Sequence, residues 1–347
     1  MLALLLKKVF YKDGRSLELL AKVDTVVFDK TGTLTSETPH IEHIYSFNGY
    51  DKDEVLIYAP SSEYKQTHPI AKAILYEAEQ RKLKLIPIET TQYEVGYGIK
   101  VHQSGSLLRI GSKRFMNMEQ IFISPEVIDI EHQANEMGYS LIYVAIDEKL
   151  AGVIELCPTL RPEIYQVIKS LRLQKKEIYI ISGDYESATK KLAEELGIKH
   201  YFAEVLPEEK AKLITQLQEQ GKSICFIGDG INDSIAMKKA QVSISLHGAS
   251  SVATDAAAVI LLDGSLNTLE RLFEIAESLR NNMKYNFITS VVPGIFCIGG
   301  VFLFNFGIVS SIILYNLSLA TGVGNAMLPM ITYKSQKNIK KSKDQND

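Results

Sequence analysis

The sequence predicts an α/β protein: a doubly wound parallel sheet, an inserted α+β unit and a C-terminal two-helix transmembrane hairpin. Three observations carry this. Short Val/Ile-rich runs that end in aspartate (VDTVVFD, EIYIISGD, KSICFIGDG) alternate with helical patterns such as RPEIYQVIKSLRL, YESATKKLAEELG and EEKAKLITQLQEQG. Strands alternating with helices imply βαβ units and a parallel sheet. The alternation is interrupted from about Ser36 to Asp147, and Tyr285 to Met330 holds no charged residue.

Taken in order, MLALLLKKVF has its charges after the apolar run and no small-residue cleavage site. It is therefore not read as a secretory signal, and residues 1–23 are expected to be a connector. Residues 24–37 and 148–280 are expected to form the parallel-sheet unit around the first strand, which ends at Asp29. Residues 38–147, long enough for a domain of their own, hold a helical piece (EVLIYAPSSEYKQTHPIAKAILYEAEQR) and glycine-punctuated runs (YEVGYGIKVHQ, LLRIGSKRFM). Gly96 and Gly98 could let backbone approach a ligand closely, although G-x-G alone is more often a turn. Residues 285–330 are long enough for two spans of about 20 residues, with a break near Asn305–Gly307. Lysine and arginine flank both ends, which places both in the cytoplasm, and residues 331–347 read as a basic tail.

Composition bounds the function. A chain of 347 residues suggests two or three units. A net charge of −3 gives no nucleic-acid footprint. Cys157, Cys225 and Cys297 lack C-x-x-C spacing, which argues against a disulfide framework or a thiolate zinc site. Each reads as a small buried hydrophobe.

In parallel α/β sheets the ligand site lies beyond the carboxyl ends of the strands. Asp29, Asp184, Asp229 and Asp233 fall at such ends, so the pattern gathers four carboxylates at one crevice. They repel unless a cation neutralises them, and an all-oxygen donor set favours Mg²⁺. Asp29 can attack phosphorus to form an aspartyl phosphate. Rapid hydrolysis of that intermediate needs an acid/base group nearby. Resemblance to simple phosphatases of the haloacid dehalogenase type implies an aspartate two residues on, and here that place is Thr31, which cannot be a base at neutral pH. Such a site makes a phosphoenzyme and holds it.

DKTGTLT at Asp29–Thr35 resembles the phosphorylation signature of P-type ATPases. It is followed in the expected order by SGD at Ser182–Asp184, PEEK ending in Lys210, and GDGIND at Gly228–Asp233. THPIAKAI around His68, with Gly96 and Gly98, resembles the nucleotide-domain signature of the heavy-metal subgroup. The resemblance implies a haloacid-dehalogenase-like fold, with residues 38–147 as the nucleotide-binding domain, and ATP and Mg²⁺ as substrate and cofactor. It implies Asp29 as nucleophile, and Asp29, Thr31, Asp229 and Asp233 around Mg²⁺. Lys210 would sit on the transferring phosphoryl group, Gly183 and Asp184 beside its approach, and Asn232 would orient it. Glu63, His68, Gly96 and Gly98 would form the adenine pocket.

Some positions depart from the pattern. Gln66 and Thr67 precede His68 where serine is usual, and Pro158 replaces an aspartate before Leu160–Pro162. The resemblance covers only the C-terminal half of a complete pump. The actuator domain and the Cys-Pro-x helix are expected on a separate chain or lost by truncation. The reading is therefore an ATP-driven transition-metal cation transporter, or one subunit of a split pump, multi-pass in a lipid membrane, expected to be the bacterial inner membrane. The alternative is a non-catalytic truncated membrane protein that binds nucleotide. Asn286, Cys297, Asn305, Tyr315, Asn316, Ser318, Asn325 and Met327 are the candidate cation ligands of the hairpin, and they leave the metal open.

Overall fold

The computed structural model describes residues 9–36, 38–59, 69–84, 90–94, 98–103, 105–228, 233–246, 255–304 and 307–343, with backbone alone for 90–94, 103, 304 and 328–343. The strands are β1 (Val9–Tyr11), β2 (Thr25–Asp29), β3 (His40–Ser46), β4 (Thr90–Glu94), β5 (Gly98–Gln103), β6 (Ser106–Gly111), β7 (Ser140–Ile146), β8 (Lys149–Cys157), β9 (Glu177–Ile181), β10 (His200–Phe202), β11 (Ile224–Ile227), β12 (Val242–Leu246) and β13 (Val259–Leu261). The helices are α1 (Arg15–Leu20), α2 (Lys52–Tyr58), α3 (Pro69–Gln80), α4 (Lys113–Met118), α5 (Pro125–Met137), α6 (Ile164–Leu173), α7 (Glu186–Glu195), α8 (Pro207–Glu219), α9 (Ser234–Lys239), α10 (Asn267–Phe304) and α11 (Ile308–Lys343).

Two sheets organise the chain. The seven-stranded sheet runs β1-β13-β12-β11-β2-β9-β10. It is parallel throughout except for the β1–β13 edge. Every residue of β2 is buried, as expected of a strand covered on both faces. One face packs Val26, Phe28, Ile180 and Ile227 against α6 and the start of α10. The other packs Val27, Ile181 and Phe226 against α8 and α9. From β2 the chain moves to β9 and β10 on one side, then returns to β11, β12 and β13 on the other. The topological switch therefore lies at the carboxyl end of β2, where Asp29 sits, and open α/β sheets bind ligands at that point.

The second sheet is six-stranded and antiparallel, β3-β8-β7-β6-β5-β4. Its two faces carry separate cores, one with Val55, Ile74 and Ile154 and the other with Phe115, Tyr143 and Val153. The expected junction at 147/148 falls inside the β7–β8 hairpin. β8 is the strand that returns along β3, so the crossing between the sheets lies at Cys157–Arg161. There Arg161 N donates to Leu34 O, Thr35 pairs with Leu160, and Ser36 N donates to Thr159 O. The expected connector also differs. β1 joins the edge of the seven-stranded sheet and α1 buries Leu20 in its core, because the apolar residues of this segment cover the end of that core. The single helical piece expected after Asp51 is two helices, α2 and α3.

α10 ends at Phe304 and α11 begins at Ile308. α10 begins well before the charge-free run because its first turns bury Leu269, Leu272 and Phe273 against the seven-stranded sheet. Helix also continues through the basic residues to Lys343. Both helices are long and apolar enough to cross a membrane, with mean hydropathy 1.8 and 1.3 over their most apolar stretches. Phe302, Leu303 and Ile308 are 82%, 78% and 80% exposed. A pair of soluble core helices would bury such side chains, so a membrane-facing hairpin is the reading that fits.

Candidate active site

Asp29 ends β2 and the chain then turns sharply through Lys30–Leu34, where Gly32 takes φ +71°, a conformation that favours glycine. This places Asp29 (5% exposed), Lys30 and Thr33 in buried positions, while Thr31 stays exposed. The turn is held from within and without. Gly32 N donates to Thr35 Oγ1 at 3.1 Å, and Arg161 donates to Gly32 O and to Gly264 O, both at 3.0 Å. Arg161 was not singled out from sequence. It ties the turn after β2 to the loop after β13.

Lys210, in the first turns of α8, donates to Asp29 Oδ1 at 2.5 Å and to Asp233 Oδ1 at 2.7 Å. All three side chains are at most 9% exposed. Burial alone would push the Lys210 ammonium down, but the two carboxylates and their hydrogen bonds more than reverse this and hold its pKa above the ordinary value. Asp233 approaches Gly228 closely: a Cβ added there would lie 2.8 Å from Asp233 Oδ2. Glycine at 228 therefore makes room for the carboxylate.

A second pair lies beside the first. Lys30 Nζ donates to Asp184, and Ser182 Oγ accepts from Asp184 N at 3.1 Å, which fixes the SGD turn after β9. Burial pushes Lys30 below its ordinary range, opposed chiefly by Asp29. Gly183 is exposed at this rim. Pressed against the pair is Gly138, the left-handed cap of α5 (φ +73°). A Cβ there would meet Ala188 Cβ at 2.8 Å and Asp184 Oδ2 at 3.3 Å. Ser187 Oγ also donates to Glu136 O at 2.6 Å. Gly138 and its neighbours are thus where the six-stranded lobe meets the site. The sequence signal was only a glycine closing a helix, which usually marks nothing more than a cap.

The structure thus brings Asp29, Lys210, Asp233, Asp184, Gly183 and Thr31 to one crevice. Asp229 and Asn232 lie outside the described residues, as do Glu63, His68 and Gly96. Gly98 begins β5 in the other lobe. The space of its missing side chain is already filled, since a Cβ would meet Phe115 Cδ1 at 2.4 Å and Ile110 O at 2.6 Å. Its backbone is close-packed for the core of that lobe. Of the three thiols only Cys225 is buried; Cys157, the last residue of β8, and Cys297, whose Sγ lies 3.7 Å from Ser311 O on α11, are half-buried.

The donor set at Asp29 fits Mg²⁺. It consists of carboxylates in a buried crevice, and the nearby Thr33 hydroxyl has no protein partner although it is fully buried. Hard divalent cations take such oxygen ligands. An oxyanion bound here would also meet the Lys210 ammonium.

The sequence matches the family described as haloacid dehalogenase-like hydrolase over residues 23–241. It is 33% identical over 278 residues to "Copper-transporting ATPase 1" of Rhizobium meliloti (strain 1021), covering 80% of this chain and 34% of that protein. It is 32% identical over 286 residues to "Zinc-exporting P-type ATPase" of Mycobacterium marinum, covering 82% and 39%. The fold superposes on a crystal structure of a zinc-transporting PIB-type ATPase in the E2.Pi state with TM-score 0.75 and 29% identity, over 93% of this chain and 52% of that one. The chain spans a third to two fifths of the length of these curated relatives.

Proposed function

Because the chain belongs to the haloacid dehalogenase-like hydrolase family, we propose that it is the catalytic portion of an ATP-driven transition-metal pump that works through an aspartyl phosphate on Asp29. The observation that carries this is the buried Asp29–Lys210–Asp233 cluster at the topological switch point, with Thr31 where a hydrolytic acid/base would stand.

In this reading Asp29 Oδ attacks the γ-phosphorus of ATP. The new O–P bond forms as the bond to the β–γ bridging oxygen breaks, and the electron pair leaves with ADP. Lys210 pairs with the Asp29 carboxylate before attack and can balance the charge of the transferring phosphoryl oxygens. Asp29, Thr31, Asp229 and Asp233 would hold Mg²⁺, which when bound would neutralise negative charge on the transferring phosphate. Asp184 and Gly183 line the approach, Lys30 holds Asp184 in place, and Asn232 orients the phosphoryl group. Glu63, His68, Gly96 and Gly98 form the adenine site of the six-stranded lobe, Gly98 through close packing of its strand. Thr31 offers no base, so the phosphoenzyme persists until a water is activated from elsewhere. An actuator unit, on this polypeptide or on a separate one, would supply that step.

The two relatives' names carry copper and zinc, which supports a cation of the transition-metal class as the cargo. α10 and α11 would be two spans of a multi-pass protein of the bacterial inner membrane, with the catalytic lobes in the cytoplasm. Asn282, Asn286 and Asn325 form an interhelical network, in which Asn325 Nδ2 donates to Asn286 Oδ1 at 2.7 Å. We assign it to helix pairing.

The test is to incubate the purified chain with Mg²⁺ and γ-phosphate-labelled ATP, quench in acid, and measure hydroxylamine-sensitive label beside Asp29→Asn. Label in the wild type alone supports the reading. ATP binding with no label favours the alternative of a nucleotide-binding protein without turnover.

A further inference from the structure

The crossing between the two lobes carries a group of side chains that phosphoryl transfer does not use. Strands β3 and β8 pair with His40 opposite Cys157, and the register shifts between Ile41 and His43. Glu42 is the extra residue of that bulge and, two positions from His40, shares its face of the strand. The ligating atoms of His40, Glu42 and Cys157 all lie within 4.8 Å of one another.

Two further contacts already orient the set. His40 Nδ1 lies 3.0 Å from Thr159 Oγ1, and His40 Nε2 lies 3.2 Å from Glu42 Oε2. When an ion binds, Nδ1–H donates to the Thr159 hydroxyl and the Nε2 lone pair turns to the ion in place of its contact with Glu42. Cys157 Sγ lies 3.6 Å from Pro158 O. Outer hydrogen bonds of this kind are what hold imidazole and thiolate ligands to a metal.

We propose that His40, Glu42 and Cys157 form a binding site for a divalent transition-metal ion of the Zn²⁺ class. One nitrogen, one carboxylate oxygen and one thiolate match its ligand preference and leave a fourth position for water. Zn²⁺ ligands at about 2.0–2.3 Å from the ion lie roughly 3.5 Å apart in a tetrahedron. The present spread closes by small rotations of the His40 and Glu42 side chains, which are 52% and 39% exposed. Binding releases the Cys157 thiol proton to solvent and forms the metal–sulfur bond. The bound ion ties the outgoing strand β3 to the returning strand β8 at the crossing. It is separate from the Asp29 crevice and from the membrane helices, and it needs no ATP turnover. The spacing of the cysteines hid it, because a single thiolate is joined to its partners only by strand register.

The test is a Co²⁺ titration of the full chain in detergent with excess Mg²⁺ present to fill the carboxylate crevice. A thiolate-to-cobalt charge-transfer band is expected to saturate at one equivalent and to be erased by Zn²⁺. Cys157→Ser abolishes the band, while His40→Ala and Glu42→Gln weaken Co²⁺ binding at least roughly tenfold. Cys225→Ser and Cys297→Ser leave it unchanged. No band in the wild type, a band that survives Cys157→Ser, or full affinity in His40→Ala would overturn the assignment.

Discussion

Replacing Lys210 with methionine keeps the length and apolar stem of the side chain and removes only its charge. Asp29 and Asp233 then face each other in a crevice where both are at most 7% exposed, without the ammonium that sits 2.5 and 2.7 Å from them. Removing one partner of a buried ionic cluster costs about 3–5 kcal/mol. For a lobe of this size that lowers the melting midpoint by roughly 6–20 °C. The sign with pH is settled by the raised pKa of Lys210. A raised folded-state value stabilises fully below the ordinary lysine pKa and is lost only as pH rises through the folded value, so a comparison at neutral pH captures the whole effect. Mg²⁺ can replace part of the missing charge: at a hundred times its dissociation constant it returns about 2.7 kcal/mol. The assay is thermal unfolding by far-ultraviolet circular dichroism, since the chain has no tryptophan, with EDTA or with Mg²⁺. The variant is expected to melt well below the wild type in EDTA and to be raised by Mg²⁺ more than the wild type. Its phosphoenzyme level falls about a hundredfold. A variant that melts with the wild type in EDTA would refute the claim that Lys210 neutralises two buried carboxylates.

Arg161→Ala frees the turn after β2 from the loop after β13, and is expected to lower the rate of phosphoenzyme formation about tenfold or more while ATP affinity, read by equilibrium binding, stays unchanged. Gly138→Ala adds a Cβ at φ +73° and 2.8 Å from Ala188. It should cost about 1–3 kcal/mol in a melt and slow phosphorylation, because the lobes are held apart at the site. Gly98→Val drives a side chain into Phe115 and is expected to destabilise the six-stranded lobe by about 1–3 kcal/mol, read as a lower melting midpoint. Asn325→Leu removes the bridge to Asn286 and should weaken the hairpin by about 0.6–1.7 kcal/mol, measured as lowered thermal resistance in detergent.

How far the sequence could be read depended on the range over which each interaction acts. The parallel sheet was legible because β2, β9 and β11 are buried on both faces and read as Val/Ile runs, and helices with apolar periodicity stand before and after β9 and before β11. The carboxylate crevice followed from topology, since strand ends of a parallel sheet share one edge. Lys210 entered only through resemblance, because a lysine near the start of a helix has no local mark of pairing with Asp29 far away in the chain. β8 was misplaced by the expected junction at 147/148, since its run of buried residues looks alike in either sheet and only its pairing with β3 decides. Arg161, Gly138 and the His40–Glu42–Cys157 group are long-range juxtapositions set by strand register and lobe contact. Their residue types carry no period or spacing that would disclose them.

The most direct measurement is borohydride reduction of the acid-quenched enzyme after reaction with ATP and Mg²⁺, followed by peptide mass analysis. Hydride reduces an aspartyl phosphate to homoserine and releases phosphate, so the modified position identifies the nucleophile. Homoserine is expected at position 29, and none when ATP is omitted. Homoserine elsewhere, or an unmodified Asp29 in enzyme that carries label, would contradict it.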